Sequence, residues 1–369
     1  MASPEHLADI RTIFERRCQT QNIFPSLDHA LKRIAGSEKL TFYLGIDPTG
    51  PLHLGHSIPL LFLRDLQKLG HEAIVLIGDF TARLGDPTGK SSARIALSQE
   101  QVQEHMESYA TTIRKIITPQ EFRYNSEWYN PMTLEEVLKL TSRVTVQQML
   151  SRDMFQERMK SDKPIHVNEF LYPIMQGYDS VALRIDGEVG GNDQTFNMLV
   201  GREFSKEILG KDKLVFATKL LADPITGKKM SKTEGALIGL EDAPQEIRRK
   251  ILDLDDTMIP IVFELCTDQD AELIPSDPRA AKELLAAELV RMYHGEQAVE
   301  QIADAIETTQ TGPLLEVLKV SQSMTSTVVK QQVEQGAVQV NGKKVDRWDL
   351  PINSGDEIRL GKGRFIRVK

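Results

Sequence analysis

The sequence predicts an α/β protein built on an open parallel sheet with helices on both faces, and three observations carry that prediction. Two apolar runs, Leu40–Ile46 and Ala73–Gly78, have the composition of strands buried on both sides. A helical stretch between them, from the residues after His53 to about Leu69, completes a βαβ unit. The alternation resumes later, with a strand near Val189, a helix from Asp193 and a strand over Leu214–Ala217.

Residues 4–36 read as an amphipathic helix, because Leu7, Ile10, Ile13 and Phe14 recur at helical spacing. Residues 98–160 read as mostly helical, rich in Glu, Gln and Met, and form an insertion of about 98–165 between the halves of the sheet. From Ala243 to about Thr309 the pattern is helical again, Ala- and Leu-rich over Ala280 to Met292. Thr309-Gln310-Thr311-Gly312-Pro313 has the composition of a linker. A small α+β module follows: Leu314–Leu318 and Val328–Val333 predict helices, and Asp356–Leu360 and Phe365–Val368 predict strands. Val338-Gln339-Val340 and Lys344-Val345 flank Asn341-Gly342, the strongest hairpin signal in the chain. The domains expected are 1–37, helical; 38–238, the sheet with its insertion; 239–311, helical; and 312–369, the small module.

With 369 residues, 40% of them hydrophobic, the chain can bury two or three cores. No apolar stretch approaches the roughly 18 residues of a membrane span. Glu5, Asp9 and Glu15 argue against a transit peptide, and no signal-peptide apolar region is expected. Cys18 and Cys266 lie far apart, with no Cys-x-x-Cys spacing for a structural zinc, so a reducing cytoplasm is the simplest home. The net charge of −8 divides unevenly: +4 over residues 312–369 and −12 over the rest. A basic tail on an acidic body suggests local contact with RNA, against a plain solvated edge as the simpler reading.

Two short motifs carry the chemistry: His53-Leu54-Gly55-His56 and Lys229-Met230-Ser231-Lys232-Thr233. The first stands at a helix N-terminus, where free N–H groups and the helix dipole favour phosphate. The second offers two lysines on the Gly-containing loop Thr226-Gly227-Lys228-Lys229, able to close on the same phosphates. Read alone, His53 and His56 are equally an i, i+3 metal pair or ordinary helix-face residues. In this order the two motifs resemble the class I aminoacyl-tRNA synthetases. Over nearly the whole chain the resemblance is to the tyrosyl-tRNA synthetases of bacterial type.

The resemblance implies an ATP site in which His53 and His56 donate to phosphates. Gly55 admits the adenine, Lys229 and Lys232 act as mobile cations, and Met230, Ser231 and Thr233 belong to the same loop. In Tyr43-Leu44-Gly45-Ile46-Asp47 it implies that Tyr43 meets the substrate phenol, Gly45 lines the adenylate and Asp47 lies near ATP. Gly85-Asp86-Pro87-Thr88-Gly89-Lys90, read bare, is a turn. By resemblance Asp86 binds the substrate ammonium, and Lys90 and Arg94 reach the pyrophosphate. Tyr172, Gln176 and Asp179 share one helical face inside an apolar run. The resemblance gives the ammonium to Tyr172 and Gln176 and the phenolic hydroxyl to Asp179. A site built around a substrate hydroxyl rejects the analogue lacking it. Gly190-Gly191-Asn192-Asp193-Gln194 implies Asp193 on the ribose and Gln194 near the tyrosine carboxylate, with Asn192 where the family usually has Ser or Thr.

Residues 239–311 are implied to bind the anticodon. The module from Leu314 resembles an RNA-binding fold shared with a small-subunit ribosomal protein, through Gln335–Gly342 and Gly361–Phe365. It departs at Ser326–Gln331, where the family usually has arginines. RNA contact is expected at Lys343, Lys344, Arg347, Arg359, Lys362, Arg364 and Arg367. The function implied is ATP-dependent attachment of L-tyrosine to tRNA(Tyr). Mg²⁺ comes with ATP without a dedicated protein cage, and a homodimer forms through roughly residues 125–165. The rival readings are a tryptophanyl-tRNA synthetase, a nucleotidyltransferase acting on a small metabolite, and an RNA-binding protein with a vestigial site.

Overall fold

A computed structural model describes residues 4–88, 99–222, 237–304, 307–308, 310–322, 324–360 and 364–368. Its first sheet has six strands: β1 (Cys18–Phe24), β2 (Thr41–Ile46), β3 (Glu72–Ile77), β4 (Glu121–Tyr124), β5 (Gly187–Gly191) and β6 (Leu214–Thr218). Their order is β1-β6-β5-β2-β3-β4, parallel except for β1, which runs antiparallel to β6. The helix Leu54–Lys68 crosses between β2 and β3, as the βαβ pattern predicts, and buries Leu60, Leu61, Phe62, Leu63 and Leu66. Phe62, Phe14 and Phe216 meet edge-on or tilted with centroids 5.3–5.5 Å apart, which fastens the N-terminal helix and β6 around it.

The helix expected over residues 4–36 is two helices, Pro4–Arg17 and Leu27–Ile34, separated by β1. Each helix supplies its own apolar spacing, so the two merge in a periodicity count. The polar residues between them, Gln19, Thr20, Gln21 and Asn22, suit an edge strand half in solvent. Arg17 leaves the first helix into a buried ion pair with Asp65, at 2.5 Å.

The insertion read over 98–165 also needs correction. Glu121–Tyr124 is the far edge strand of the sheet, paired with β3 from Ile74↔Glu121 to Ile77↔Tyr124. Its four residues, two of them charged, are too short to register as a strand among helical neighbours. The helices Leu134–Thr141, Val146–Leu150 and Asp153–Lys160 follow, and then Leu171–Leu183.

The chain divides into two compact units, one holding the described residues up to Ala222 with Glu264–Cys266, the other the remainder. In the second unit lie the helices Pro244–Leu252, Pro278–His294 and Glu296–Asp304. There follow β7 (Glu307–Thr308), β8 (Gly312–Pro313), β9 (Val338–Val340), β10 (Lys343–Lys344), β11 (Pro351–Ile352), β12 (Glu357–Leu360) and β13 (Arg364–Val368). A five-stranded sheet runs β10-β9-β12-β13-β7, and β8 pairs with β11. The helices Leu314–Gln322 and Ser326–Glu334 close its core of Leu314, Val317, Leu318, Val329, Val333, Val338, Ile358 and Ile366. Asn341 (φ 50°) and Gly342 (φ 74°) take the two left-handed positions that a two-residue hairpin turn requires.

Of the linker read over Thr309–Pro313, Thr309 lies outside the described residues, and Gly312 and Pro313 are tied into this module. β7 pairs with β13 at Glu307↔Arg367, and β8 pairs with β11 at Gly312↔Ile352. Arg359 binds Asp253 at 3.0 Å, and Arg279 binds Glu357, so module and helices share one unit. Gly and Pro signal a break in regular structure but are silent about two-residue pairings with distant strands. Among the described residues no helix is long and apolar enough to cross a membrane.

Candidate active site

The order of the first sheet reverses between β2 and β5, since the chain leaves β2 for β3 on one side and returns to its other side at β5. A crevice outside the carboxyl ends of such strands is where open α/β sheets hold ligands. Tyr43, Gly45 and Asp47 lie along and just past β2, and Gly45 is exposed there. Gly78, just past β3, must be glycine: an added Cβ would fall 1.9 Å from Asp47 Oδ1 and 2.5 Å from Thr81 Oγ1. Thr81 Oγ1 donates to Asp47 Oδ1 across 2.7 Å, and Tyr172 Oη donates to Oδ2 across 2.8 Å.

His53 caps the helix that follows β2. Its Nδ1 accepts from the Gly55 N–H at 3.2 Å, while His56 Nδ1 accepts from the His53 N–H at 3.1 Å. In the neutral rings the proton therefore sits on Nε2, the side turned away from the backbone. Gly55 leaves room for this cap, because a Cβ there would meet the His53 ring at 3.0 Å.

The helix Leu171–Leu183 turns the predicted polar face into the crevice. Asp179 Oδ1 accepts from Trp128 Nε1 at 2.9 Å and Tyr129 Oη at 2.8 Å. Burial pushes its carboxyl well above the usual range, against the pull of those two donors. Tyr43 Oη lies 3.1 Å from Ser180 Oγ, and burial, with Glu188 and Asp179 adding, holds its phenol well above the ordinary value. Tyr172 is raised likewise by burial, then by Asp47 and Asp86.

At the other end, Gln176 Oε1 accepts from Asn197 Nδ2 at 2.8 Å, and Asn197 Nδ2 also donates to Gln194 Oε1 at 2.9 Å. Gln194 Nε2 donates to Asp86 Oδ2 at 2.9 Å, and Asp86 Oδ1 accepts from the Thr88 N–H at 2.9 Å. Asp193 is exposed at the end of β5, and a Cβ on Gly191 would come within 2.7 Å of its carboxylate. Asn192 Oδ1 accepts from Asn22 of β1 at 2.6 Å, which gives the departure from Ser or Thr a local partner.

The fold thus gathers Tyr43, Gly45, Asp47, His53, Gly55, His56, Asp86, Tyr172, Gln176, Asp179, Asp193 and Gln194 within the first unit. Lys90, Arg94, Lys229, Met230, Ser231, Lys232, Thr233 and Lys362 lie outside the described residues, as does the side chain of Arg364. Of the other basic residues, Lys343 and Lys344 are exposed on β10. Arg347 pairs with Asp349 at 3.0 Å, Arg359 with Asp253 at 3.0 Å, and Arg367 lies 3.9 Å from Glu357.

Sequence reasoning missed Trp128, Tyr129, Arg152, Ser180, Glu188 and Lys213. Arg152 Nη2 donates to Thr88 Oγ1 at 2.7 Å, and burial lowers its guanidinium while Asp86 and Tyr172 raise it. Glu188 and Lys213, both buried, form an ion pair. Glu188, a single charge inside the short strand β5, was the one signal available for that pair.

The family model for class I tRNA synthetases (W and Y) matches residues 36–310. The tyrosine–tRNA ligase of Bordetella avium is 38% identical, covering 99% of this chain and 97% of its own. That of Trichormus variabilis is 36% identical, covering 97% of both. A C-terminally truncated mitochondrial tyrosyl-tRNA synthetase from Aspergillus nidulans superposes with a TM-score of 0.67 at 22% identity, over 81% of this chain and 96% of that one. The Archaeoglobus fulgidus tyrosyl-tRNA synthetase, solved with L-tyrosine, gives 0.59 at 22% identity, over 80% and 98%. At that identity these two likenesses speak for the fold.

Proposed function

The chain belongs to the class I tRNA synthetases (W and Y), and from that premise we propose which of its residues perform the reaction. It is an aminoacyl-tRNA ligase that attaches L-tyrosine to tRNA(Tyr), with ATP as the activating substrate. The tyrosine carboxylate attacks the α-phosphorus of ATP and expels pyrophosphate; a hydroxyl of the terminal ribose of tRNA then attacks the tyrosyl carbonyl of the adenylate and releases AMP. The nucleophile is already ionised, so the chemistry asks for positioning and for cations and N–H donors around developing phosphate charge.

The observation that carries the residue assignment is the pair of polar groups, Tyr43 and Asp179, buried at the apolar end of the crevice. Beside their bonds to Trp128, Tyr129 and Ser180, the carboxyl and phenol oxygens keep further hydrogen-bonding capacity, and the phenolic hydroxyl of tyrosine is the group that matches it. Asp86, Tyr172 and Gln176 receive the ammonium and Gln194 the carboxylate. His53 and His56 meet the phosphates, Gly45, Asp47, Gly55 and Asp193 the rest of ATP. Lys90, Arg94, Lys229 and Lys232 neutralise the pyrophosphate, accompanied by Mg²⁺ carried on the nucleotide.

Residues 38–238 serve as the catalytic domain, 239–311 bind the anticodon, and 312–369 add RNA contact. Leu134, Leu138, Val146, Met159 and Val167 are large apolar side chains left exposed, 74% for Leu134 and 78% for Val167. They support a homodimer through this helical region. The cytoplasm is its place of work, and Cys18 and Cys266 are buried free thiols. The test is pyrophosphate exchange into ATP with each of the twenty amino acids in turn. Exchange confined to tyrosine supports the assignment; exchange with tryptophan or with none would refute it.

A further inference from the structure

The chemistry of one buried carboxylate decides which way the Gln176 amide faces. Glu188 is buried on β5, and Lys213, buried just before β6, forms an ion pair with its Oε2. Both meet Ser180: Lys213 Nζ donates to Ser180 Oγ across 2.8 Å, and Ser180 Oγ donates to Glu188 Oε2 across 3.2 Å. The other oxygen, Oε1, accepts from Gln176 Nε2 at 3.2 Å.

A carboxylate paired with an ammonium only accepts hydrogen bonds. The Gln176 amide must therefore turn its NH₂ toward Glu188, which aims its carbonyl oxygen the other way. That oxygen meets Asn197 Nδ2 at 2.8 Å, and an amide oxygen has a second lone pair for another donor. Asn197 also donates to Gln194, and Gln194 donates to Asp86. Asp86 accepts from Gln194 Nε2 as Glu188 accepts from Gln176 Nε2, so Asn197 donates to both amide oxygens and the Gln176 amide is held between Asn197 and Glu188. A glutamine at position 188 would replace the charged acceptor by a neutral amide that can also donate, and the hold on the Gln176 NH₂ would weaken.

We infer that Glu188, held by Lys213, is a positioning residue that presents the Gln176 carbonyl oxygen to the substrate ammonium. Tyrosine is then selected at its amino end as well as at its phenol. The inference rests on the reading of Gln176 as an ammonium-binding residue.

The test compares binding of L-tyrosine with that of 3-(4-hydroxyphenyl)propionate, which keeps the phenol and carboxylate and lacks the amine, on the full chain. Glu188→Gln should weaken tyrosine about tenfold, the loss of roughly one charge-assisted hydrogen bond, and leave the desamino analogue unchanged. The double variant Glu188→Gln/Lys213→Met, which leaves no buried lysine without its counter-ion, should show the same loss of preference with a normal unfolding midpoint. Equal weakening of both ligands, or an unchanged preference in the two variants, would overturn the inference. Gln176→Ala separates the two readings. If it keeps the preference, the ammonium assignment of Gln176 fails; if it loses the preference while Glu188→Gln keeps it, only the positioning role fails.

Discussion

Tyr172 Oη donates to Asp47 Oδ2 across 2.8 Å, joining the helix Leu171–Leu183 to the loop that follows β2. Two sequence blocks 125 residues apart therefore share one hydrogen bond. Tyr172→Phe removes a donor to a carboxylate, a change of about 1.5–3 kcal/mol. We expect kcat/KM for tyrosine in pyrophosphate exchange to fall correspondingly, with KM for tyrosine rising. A variant with unchanged KM would show that this hydrogen bond does not set the pocket.

Gly78→Ala tests the same carboxylate from below. The new methyl would lie 1.9 Å from Asp47 Oδ1, so Asp47 has to leave Thr81. β3 itself ends at Ile77, so the sheet is spared. The expected outcome is a raised KM for ATP with the unfolding midpoint little changed. Normal kinetics in a folded variant would remove Asp47 from the ATP site.

Specificity at the phenol end divides between Tyr43 and Asp179. Tyr43→Phe deletes one neutral hydrogen bond, about 0.5–1.5 kcal/mol. Asp179→Ala costs more, because Trp128, Tyr129 and the substrate hydroxyl lose a shared acceptor. The ratio of tyrosine to phenylalanine activation should drop in both variants, further in the second. An unchanged ratio in both would mean the phenol is bound elsewhere.

What was legible in the sequence follows from which physics is local. The strands β2 and β3 were readable because burial on both faces demands an unbroken apolar run. β1 and β4 were not, because edge strands tolerate Gln, Asn, Glu and Arg. Tyr172, Gln176 and Asp179 declared themselves as polar groups on one face of an apolar helix. Lys213 and Glu188 did not, since their meaning depends on β5 and β6 lying side by side, with Glu188 paired to Val215 in the register. The linker at Thr309–Pro313 failed for the same reason: its partners stand some forty to sixty residues away, a separation that turn chemistry does not report.

His71 gives the sheet unit a pH dependence. Its Nδ1 accepts from the Leu40 N–H at 3.3 Å and its Nε2 lies 3.1 Å from the Ile34 carbonyl oxygen, so the ring is held neutral. Burial lowers its value below the ordinary one, opposed by the Ile34 carbonyl and by Asp186. The unfolded chain takes up the proton first as pH falls through about 6.5. Stability from this group is full above that pH and is lost below it, down to the folded value. His71→Gln should lose less stability than the wild type between about pH 7.5 and pH 5.5. Equal slopes in urea titrations at the two pH values would assign the acid sensitivity to other groups.

The RNA reading is tested best at Lys343 and Lys344. Arg347 and Arg359 are ion-paired with Asp349 and Asp253, whereas the two lysines are exposed on β10 beside the hairpin turn. Lysines of this kind neutralise phosphates without regard to sequence and release counterions. For every phosphate no longer neutralised, the dependence of log K on log salt falls by roughly 0.7–0.9. Lys343→Ala/Lys344→Ala should therefore lower tRNA affinity and flatten its salt dependence, while tyrosine-dependent pyrophosphate exchange stays at the wild-type rate. The double substitution is cleaner than removing residues 313–369. That deletion also strips β7 of its partner β13 and takes the partners of Asp253 and Arg279. Unchanged affinity and slope in the double variant would mean that the β10 lysines do not meet the tRNA backbone. The basic excess of the module would then be a solvated edge, and the helices before it would have to hold the tRNA alone.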